Sequence, residues 1–247
     1  MSLLRIAGLS GGYGDVDIVS GIDMTVSERE IVTIAGTNGA GKSTLIKAAM
    51  GLLPRISGEM TFNGIDLLKL AVPDRIRVGI SYVPQVRNVF GTLTVLENLQ
   101  VVEHVTGRAQ RIRDMFDLFP ALAGRRGTYA ENLSGGERQQ LAFARALMSS
   151  PRLILLDEPS AALSPALTDQ VFDEVRKLPQ AGVAVLMVEQ RARQALAFSD
   201  RGYILDAGRI VLTDTGQNLL ANEEMGDVYI GRSHGTTSHH AGPGGRA

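Results

Sequence analysis

The chain has 247 residues, room for one large domain or one domain with an inserted lobe. Its 25 Lys and Arg residues nearly balance its 26 Asp and Glu residues, and the formal net charge of -1 argues against general electrostatic binding to nucleic acid. The absence of cysteine excludes disulfides, thiolate metal sites and cysteine nucleophiles. No apolar stretch approaches the ~20 residues of a membrane span, so we expect a cytoplasmic protein.

The first quarter of the chain predicts strands on both sides of a glycine-rich loop. Residues 3–9 and 30–35 are short apolar segments with β-branched residues, which favour strands. A glycine-rich turn follows the second segment, and residues 42–50 then have the composition of a helix that ends at Gly51. The pair Asn63–Gly64 lies between two strand-like runs and predicts a hairpin turn. We therefore expect a strand, a loop and a helix in succession, beside an antiparallel β region.

Helical spacing dominates the middle of the chain. Between residues 93 and 150, apolar residues recur every three or four positions, which predicts a helical lobe. Residues 153–156 and 183–188 then resemble strands separated by a helix at 165–178, and this order predicts a parallel sheet. The fold class is therefore α/β, with a mostly parallel sheet. Residues 232–247 hold almost no large apolar side chain, so we expect a disordered tail.

The strongest signal for function is a phosphate loop. Residues 36–44 fit the pattern G-x-x-x-x-G-K-[ST] between a predicted strand and a predicted helix, the context that this motif requires. Glycines let backbone N–H groups turn toward phosphate oxygens, the lysine reaches the β- and γ-phosphates, and the serine hydroxyl binds Mg²⁺. The expected nucleotide-binding residues are Gly36, Thr37, Asn38, Gly39, Ala40, Gly41, Lys42, Ser43 and Thr44.

Two adjacent carboxylates follow the apolar run at 153–156. Ligands tend to bind at the carboxyl edge of a parallel sheet, so Asp157 is a candidate metal ligand. Glu158 is a candidate for polarising the water that attacks the γ-phosphate. Acidic residues are common at strand ends, and the functional interpretation depends on the phosphate loop earlier in the chain.

A Ser-Gly-Gly turn opens a further predicted helix. Ser134 is a favoured N-cap residue, and Glu137 lies three positions later, as in a capping box. With Gly135 and Gly136 they form a second helix N-terminus that suits a phosphate. One nucleotide cannot easily use both N-termini of one chain. We therefore expect a second subunit, to whose nucleotide this turn is presented.

The phosphate loop, the segment LSGGE and the segment LILLDEP, in this order and spacing, resemble the ATP-binding subunits of ABC transporters. The resemblance covers about residues 1–231. It implies a P-loop NTPase core with an N-terminal antiparallel β region and an inserted α-helical lobe at about residues 88–150. It also implies that Tyr13 stacks on adenine, and that Gln85 links the γ-phosphate and the metal to the helical lobe.

Two departures from the family pattern are informative. Gln190 stands where the family usually has a histidine that contacts the γ-phosphate, and its amide can donate a hydrogen bond but cannot titrate. The loop at 160–165 lacks the aspartate that commonly follows its leucine, so the usual contact across the dimer is not expected there. These features and the run 219–231 resemble the subfamily that imports branched-chain or other hydrophobic amino acids, and amides such as urea. The chain is expected to be the smaller ATPase subunit of such an importer.

The resemblance further implies ATP-driven dimerisation at the cytoplasmic face of the cell membrane. ATP and Mg²⁺ are the expected cofactors, with metal ligands Ser43, Gln85 and Asp157 and catalytic residues Gln85, Glu158 and Gln190. The expected partners are a second, different ATPase subunit (an identical one in isolation), two membrane permeases and, indirectly, an extracellular or periplasmic solute-binding protein. Nucleic acid is not an expected partner. Residues 87–90 are candidates for a groove that receives a permease helix.

Three other functions compete with the amino-acid importer. Chromosome and DNA-repair ATPases share these motifs but insert long coiled coils between them, for which residues 44–133 have neither the length nor the heptads. An ATPase subunit of a urea or amide importer fits the same subfamily features. An exporter subunit is permitted by the general motifs and disfavoured by Gln190 and the C-terminal run.

Overall fold

Two β-sheets form the frame of residues 2–222, the part of the chain that this computed structural model describes. The strands in that part are β1 (Ser2–Tyr13), β2 (Val16–Ser27), β3 (Ile31–Ala35), β4 (Arg55–Phe62), β5 (Ile65–Asp66), β6 (Ile80–Val83), β7 (Leu153–Asp157), β8 (Ala184–Val188), β9 (Arg201–Asp206) and β10 (Arg209–Thr215). The helices there are α1 (Lys42–Met50), α2 (Val72–Arg77), α3 (Val95–Gln100), α4 (Arg108–Leu118), α5 (Pro120–Ala123), α6 (Gly135–Leu147), α7 (Pro165–Lys177), α8 (Ala192–Leu196) and α9 (Gly216–Ala221).

The larger sheet is mostly parallel, as the sequence predicts. Its strands lie in the order β10-β9-β3-β8-β7-β6, and only the edge strand β10 pairs with its neighbour in antiparallel fashion. Every residue of β3, β7 and β8 is buried, which explains their continuous apolar sequences, because helices cover both faces of such a sheet. The phosphate loop follows the carboxyl end of β3, and the acidic pair Asp157 and Glu158 lies at the carboxyl end of β7. Only β8 lies between these two strands.

The smaller sheet is antiparallel and lies near the N-terminus, also as predicted. Its strands lie in the order β2-β1-β4-β5. The predicted turn at Asn63–Gly64 joins β4 to β5, with Phe62 opposite Ile65. Leu4, Leu9, Val19 and Ile22 are buried on this sheet and pack in one core with residues of α1. The antiparallel sheet therefore braces the helix that follows the phosphate loop.

Helix α1 is fixed at its C-terminal end by a buried arginine. Gly51 ends the helix with a left-handed φ of 77°, and a Cβ atom there would lie 2.7 Å from the guanidinium carbon of Arg75. The guanidinium of Arg75 donates hydrogen bonds to the carbonyl oxygens of Ala48, Ala49 and Leu67. Burial lowers the pKa of Arg75. The end of α1 thus depends on a glycine for space and on a cation for its free carbonyl groups.

The segment predicted to form a helical lobe contains α3 to α6, between the neighbouring strands β6 and β7. Buried side chains of this segment, including Leu99, Phe116 and Phe143, pack in a core that also contains Ile154 and Leu156 of β7. The lobe limits of 88 and 150 stay a prediction. The predicted tail at 232–247 and the end of the predicted domain at 231 lie outside the described residues.

The structure has several elements that the sequence did not predict. Strand β1 continues to Tyr13 rather than ending at residue 9, and β2, β6, β9 and β10 form the remaining sheet positions beside the predicted strands. Helices α2, α8 and α9 are also additions. None of the helices within residues 2–222 combines the length with the apolar character that a membrane span requires.

Candidate functional site

The phosphate loop joins the end of β3 to the start of α1, as its sequence motif requires. Gly41 immediately precedes the helix with a φ of 100°, and a Cβ atom there would lie 3.0 Å from Cγ1 of Val19 on β2. Only glycine adopts this backbone without strain. Ala40 is buried, and its N–H group donates to the carbonyl oxygen of Thr37 at 3.2 Å. The loop is therefore held both by its own backbone and by the antiparallel sheet.

Lys42 folds back into the loop. Its Nζ atom donates to the carbonyl oxygens of Gly36 and Thr37, both at 2.9 Å. Burial lowers its pKa, and the carboxylates of Glu158 and Asp157 oppose that effect. The ammonium group thus lies among oxygen atoms in the centre of the loop, where a phosphate oxygen is an equivalent acceptor.

Asp157 is the last residue of β7, and its carboxylate is held on both sides. The Oγ atom of Ser43 donates to Oδ1 at 2.7 Å, and the hydroxyl of Tyr82 donates to Oδ2 at 3.2 Å. Asp157 is only 3% exposed. The structure therefore brings together the serine and the aspartate that the sequence predicts as metal ligands.

The carboxylate of Glu158 contacts the other two predicted catalytic residues, Gln85 and Gln190. Its backbone has a left-handed φ of 49°, which costs roughly 1–3 kcal/mol for a residue other than glycine and is concentrated at functional sites. The N–H group of Glu158 donates to the carbonyl oxygen of Val188, at the end of the neighbouring strand β8. Its carboxylate accepts from Nε2 of Gln85 at 2.6 Å and from Nε2 of Gln190 at 3.4 Å. Loops that follow three different strands thus meet at this carboxylate.

An open cavity of about 400 Å³ lies above the phosphate loop and ends at this carboxylate. Tyr13 lines this cavity, and it is 49% exposed. Ile18 of β2 also lines the cavity, and it was not predicted as a site residue because β2 itself was not predicted. The lining residues are Tyr13, Ile18, Asn38, Gly39, Gly41, Lys42, Ser43, Thr44, Glu158 and Gln190.

The second glycine-rich turn does not line this cavity. Ser134 caps α6 in a complete capping box, since the N–H group of Glu137 donates to its Oγ atom at 3.3 Å and its own N–H group donates to Oε2 of Glu137 at 2.9 Å. These bonds and Arg125 hold the pKa of Glu137 below its usual range. Gly135 and Gly136 form the first turn of the helix. The predicted capping box is correct, and the four residues 134–137 are separate from the cavity of their own chain.

The residues on either side of Gln190 hold the loop that lacks the expected aspartate. The carboxylate of Glu189 accepts from the backbone N–H of Ser160 at 2.9 Å and from its Oγ atom at 2.8 Å. Nη2 of Arg191 donates to the carbonyl oxygen of Leu163 at 3.0 Å. Burial raises the pKa of Glu189. Glu189 was not predicted as a site residue, although it directly follows the buried strand β8 just as Glu158 follows β7, and that shared position is the signal that could have identified it.

Comparisons with known proteins agree with this geometry. The family model described as "ABC transporter" matches residues 19–161. The high-affinity branched-chain amino acid transport ATP-binding protein BraG of Pseudomonas aeruginosa is 41% identical over 232 residues, which cover 93% of this chain and 100% of BraG. The probable branched-chain amino acid transport ATP-binding protein LivF of Archaeoglobus fulgidus is 37% identical over 233 residues, or 93% of this chain and 99% of LivF.

A solved structure extends the likeness to the fold. The crystal structure of the ADP conformation of MJ1267, an ATP-binding cassette of an ABC transporter, superposes with a TM-score of 0.82 at 26% identity and covers 94% of this chain and 100% of its own. The phosphate loop, the capped helix α6 and the acidic end of β7 therefore occur in the fold to which their motifs correspond. On this evidence the chain belongs to the ABC transporter family, as one of its ATP-binding ATPase subunits.

Proposed function

We propose that this chain hydrolyses ATP, with Mg²⁺, to power a membrane importer of branched-chain or other hydrophobic amino acids. The observation that carries the ATPase part is the meeting of Gln85, Glu158 and Gln190 beside the phosphate loop. The import part is supported by the 41% identity to BraG, which extends over the whole length of that relative. It is supported further by Gln190, because that glutamine is a feature of the importing subfamily that the sequence resembles.

The nucleotide occupies the 400 Å³ cavity in this proposal. Tyr13 stacks on the adenine, and the backbone N–H groups of residues 36–44 surround the phosphates at the N-terminus of α1. Lys42 exchanges the two carbonyl oxygens that it now contacts for oxygens of the β- and γ-phosphates. Its depressed pKa reflects burial, and an added phosphate charge would stabilise the ammonium form.

The residues beside the phosphates suit Mg²⁺. Ser43 offers a hydroxyl and Asp157 a carboxylate, and both are the oxygen donors that this ion prefers. Within residues 2–222 there is no cluster of three or more acidic or histidine side chains that could hold a metal ion, so Ser43 and Asp157 would hold Mg²⁺ together with the nucleotide rather than alone. Gln85 approaches the same region through its amide. When bound beside Ser43 and Asp157, Mg²⁺ would neutralise negative charge that develops on the phosphates during phosphoryl transfer.

Glu158 positions and polarises the attacking water in this proposal. It lines the same cavity as Lys42 and Gln190, so its carboxylate borders the space proposed for the nucleotide. Gln85 and Gln190 each donate one hydrogen bond to a different oxygen of this carboxylate, and each oxygen keeps a further lone pair that can accept a hydrogen bond from that water.

Each nucleotide site is completed by a second ATPase domain. Ser134 to Glu137 form a phosphate-facing helix N-terminus that lies apart from the cavity of their own chain, which supports head-to-tail pairing. The second ATPase subunit is a different chain in the complete transporter, by resemblance to the importing subfamily. Ser134 donates its hydroxyl hydrogen to the partner's nucleotide while its oxygen still accepts from Glu137.

A mainly apolar groove of about 380 Å³ lies beside Gln85, and it is the proposed binding site for a helix of the permease. Arg87, Asn88 and Phe90 line it, whereas Val89 turns inward to the core of the helical segment. Phe90 is 51% exposed, and the guanidinium carbon of Arg145 lies 4.4 Å from its ring centroid. An apolar groove of this kind fits an amphipathic helix. Permease binding places the chain peripherally at the cytoplasmic face of the membrane.

The test combines enzymology with transport. The purified full-length chain is assayed for Mg²⁺-dependent phosphate release, and its gene is deleted in the native cells and then complemented with wild type or with Glu158→Gln. We expect uptake of labelled leucine, isoleucine and valine to be lost and to return only with wild type. Unchanged uptake of these amino acids, with loss of urea uptake or of an export function, would overturn the proposed substrate and leave the ATPase in place.

A further inference from the structure

Tyr82 connects two strands through the carboxylate of Asp157. It lies on β6 and is paired with Leu155 of β7. Leu155 precedes Asp157 by two positions in the same strand. Because side chains two positions apart point to the same face of a strand, Asp157 lies on the face of Leu155, displaced by a rise of roughly 6.6 Å. That distance is close to the length of a tyrosine side chain, and the Tyr82 hydroxyl meets Oδ2 of Asp157 at 3.2 Å.

The two donors to Asp157 leave its carboxylate little freedom to rotate. Ser43 takes Oδ1 and Tyr82 takes Oδ2, so a rotation about the bond to the carboxylate would break both contacts. The ring of Tyr82 is partly buried and packs against the core beneath α1, which limits its own movement.

We infer that Tyr82 is a positioning residue for the metal side of the site. Its hydroxyl orients Asp157 so that the carboxylate and the hydroxyl of Ser43 are presented together where Mg²⁺ is needed. This inference rests on the proposed function, since it concerns the same site. Groups that orient metal-binding carboxylates contribute strongly to metal affinity. Loss of this hydroxyl therefore raises the Mg²⁺ concentration that the site requires, and it leaves nucleotide binding without Mg²⁺ unchanged.

The experiment compares Tyr82→Phe with the matched variant Tyr203→Phe in the full-length chain. Tyr203 is 4% exposed on β9, and its hydroxyl bonds to backbone atoms of Thr25, in a part of the chain that does not line the cavity. Binding of a fluorescent ADP analogue is titrated without Mg²⁺ and at increasing Mg²⁺ concentration. Phosphate release is measured over the same Mg²⁺ range, and thermal unfolding of both variants reports on the fold.

For Tyr82→Phe we expect the Mg²⁺ concentration for half-maximal binding and for half-maximal phosphate release to rise about tenfold. Binding without Mg²⁺, and phosphate release at saturating Mg²⁺, should stay within about twofold of wild type. Tyr203→Phe should leave the Mg²⁺ dependence unchanged. An unchanged Mg²⁺ dependence in Tyr82→Phe would overturn the inference, as would an equal loss of binding with and without Mg²⁺. A wild-type chain that binds and hydrolyses without regard to Mg²⁺ would instead overturn the proposed function.

Discussion

Gln85 donates a hydrogen bond from Nε2 to Oε2 of Glu158 at 2.6 Å, and this contact links the loop after β6 to the end of β7. Gln85 directly follows Pro84, which lines the proposed permease groove, and Glu158 lines the nucleotide cavity. The two sites are therefore one hydrogen bond apart. A displacement of Gln85 would therefore change a direct contact with the carboxylate that we assign to catalysis.

Replacement of Glu158 by glutamine is expected to lower turnover about 100-fold or more while ATP binding is retained. The amide has the shape of the carboxylate but cannot polarise water as a base, and such groups typically contribute 10²–10⁴-fold. Phosphate release and size-exclusion chromatography with ATP and Mg²⁺ measure the two effects, and the variant should elute as an ATP-bound dimer. Glu103→Gln, at a side chain that is 85% exposed, is the control. Turnover equal to wild type would remove Glu158 from its assigned role.

Gln190→Ala is expected to lower turnover by less than Glu158→Gln does. Its amide contacts Glu158 at 3.4 Å, and a single amide donor to the γ-phosphate stabilises the transition state less than the group that positions the water. Both variants are compared in one phosphate-release assay, with Gln110→Ala on the exposed side of α4 as the control. A larger loss in Gln190→Ala would make that amide the central group of the site.

Lys42→Ala is expected to weaken ATP binding at least about tenfold. Hydrogen bonds from a cation contribute more than neutral ones, and the Nζ atom of this lysine already donates to two oxygen atoms of the phosphate loop. Titration with a fluorescent ATP analogue at low temperature measures affinity apart from turnover. Lys47→Ala in the last turn of the same helix is the matched control. Equal affinity in both variants would contradict the assignment.

Ser134→Ala is expected to abolish ATP-dependent dimerisation as well as to destabilise α6. Loss of an N-cap serine typically costs about 1 kcal/mol of stability. The chain offers a matched control in Thr94, which caps α3 in a complete capping box with Glu97. Chemical denaturation should show similar losses for Ser134→Ala and Thr94→Ala, whereas only the first should lose the ATP-dependent dimer in size-exclusion chromatography. Loss of the dimer in both variants would show that Ser134 acts only as the cap of α6.

Phe90→Asp is expected to prevent recovery of the permeases without loss of ATPase activity in the isolated chain. A carboxylate in the apolar groove would disfavour the apolar face of a docked helix, because it would have to be desolvated. The tagged chain is purified from gently solubilised membranes, and its partners are identified by mass spectrometry. Val211→Asp, at an exposed apolar residue of β10, is the control. Recovery of the same partners with Phe90→Asp would place the interface elsewhere.

The sequence predicted the elements whose signals are local. Helix α1 is bounded by the phosphate loop and by Gly51, and β3, β7 and β8 are fully buried runs. Strand β2 was missed because its alternation breaks at Gly21, where the pairing with β1 changes register between Ile22 and Val19. Strand β6 has only four residues, too few for a period to appear.

The composition of the site was also predictable, whereas its contacts were not. The motifs indicated that Lys42, Ser43, Asp157 and Glu158 lie together, since both motifs follow strands of one parallel sheet. The hydrogen bonds from Tyr82 and Gln85 require β6 to lie beside β7, and periodicity carries no information about strand order. These contacts became visible only when the strands were placed.

Arg75 gives the phosphate-binding helix a fixed cation at the end opposite to its ligand. Helix α1 has nine residues and is therefore about 14 Å long. An anion at the first turn and a cation at the last turn each stabilise the dipole of the same helix. Removal of the Arg75 guanidinium would leave the carbonyl oxygens of Ala48 and Ala49 without that donor, so a substitution beneath Gly51 destabilises from its far end the helix that begins at the phosphate loop.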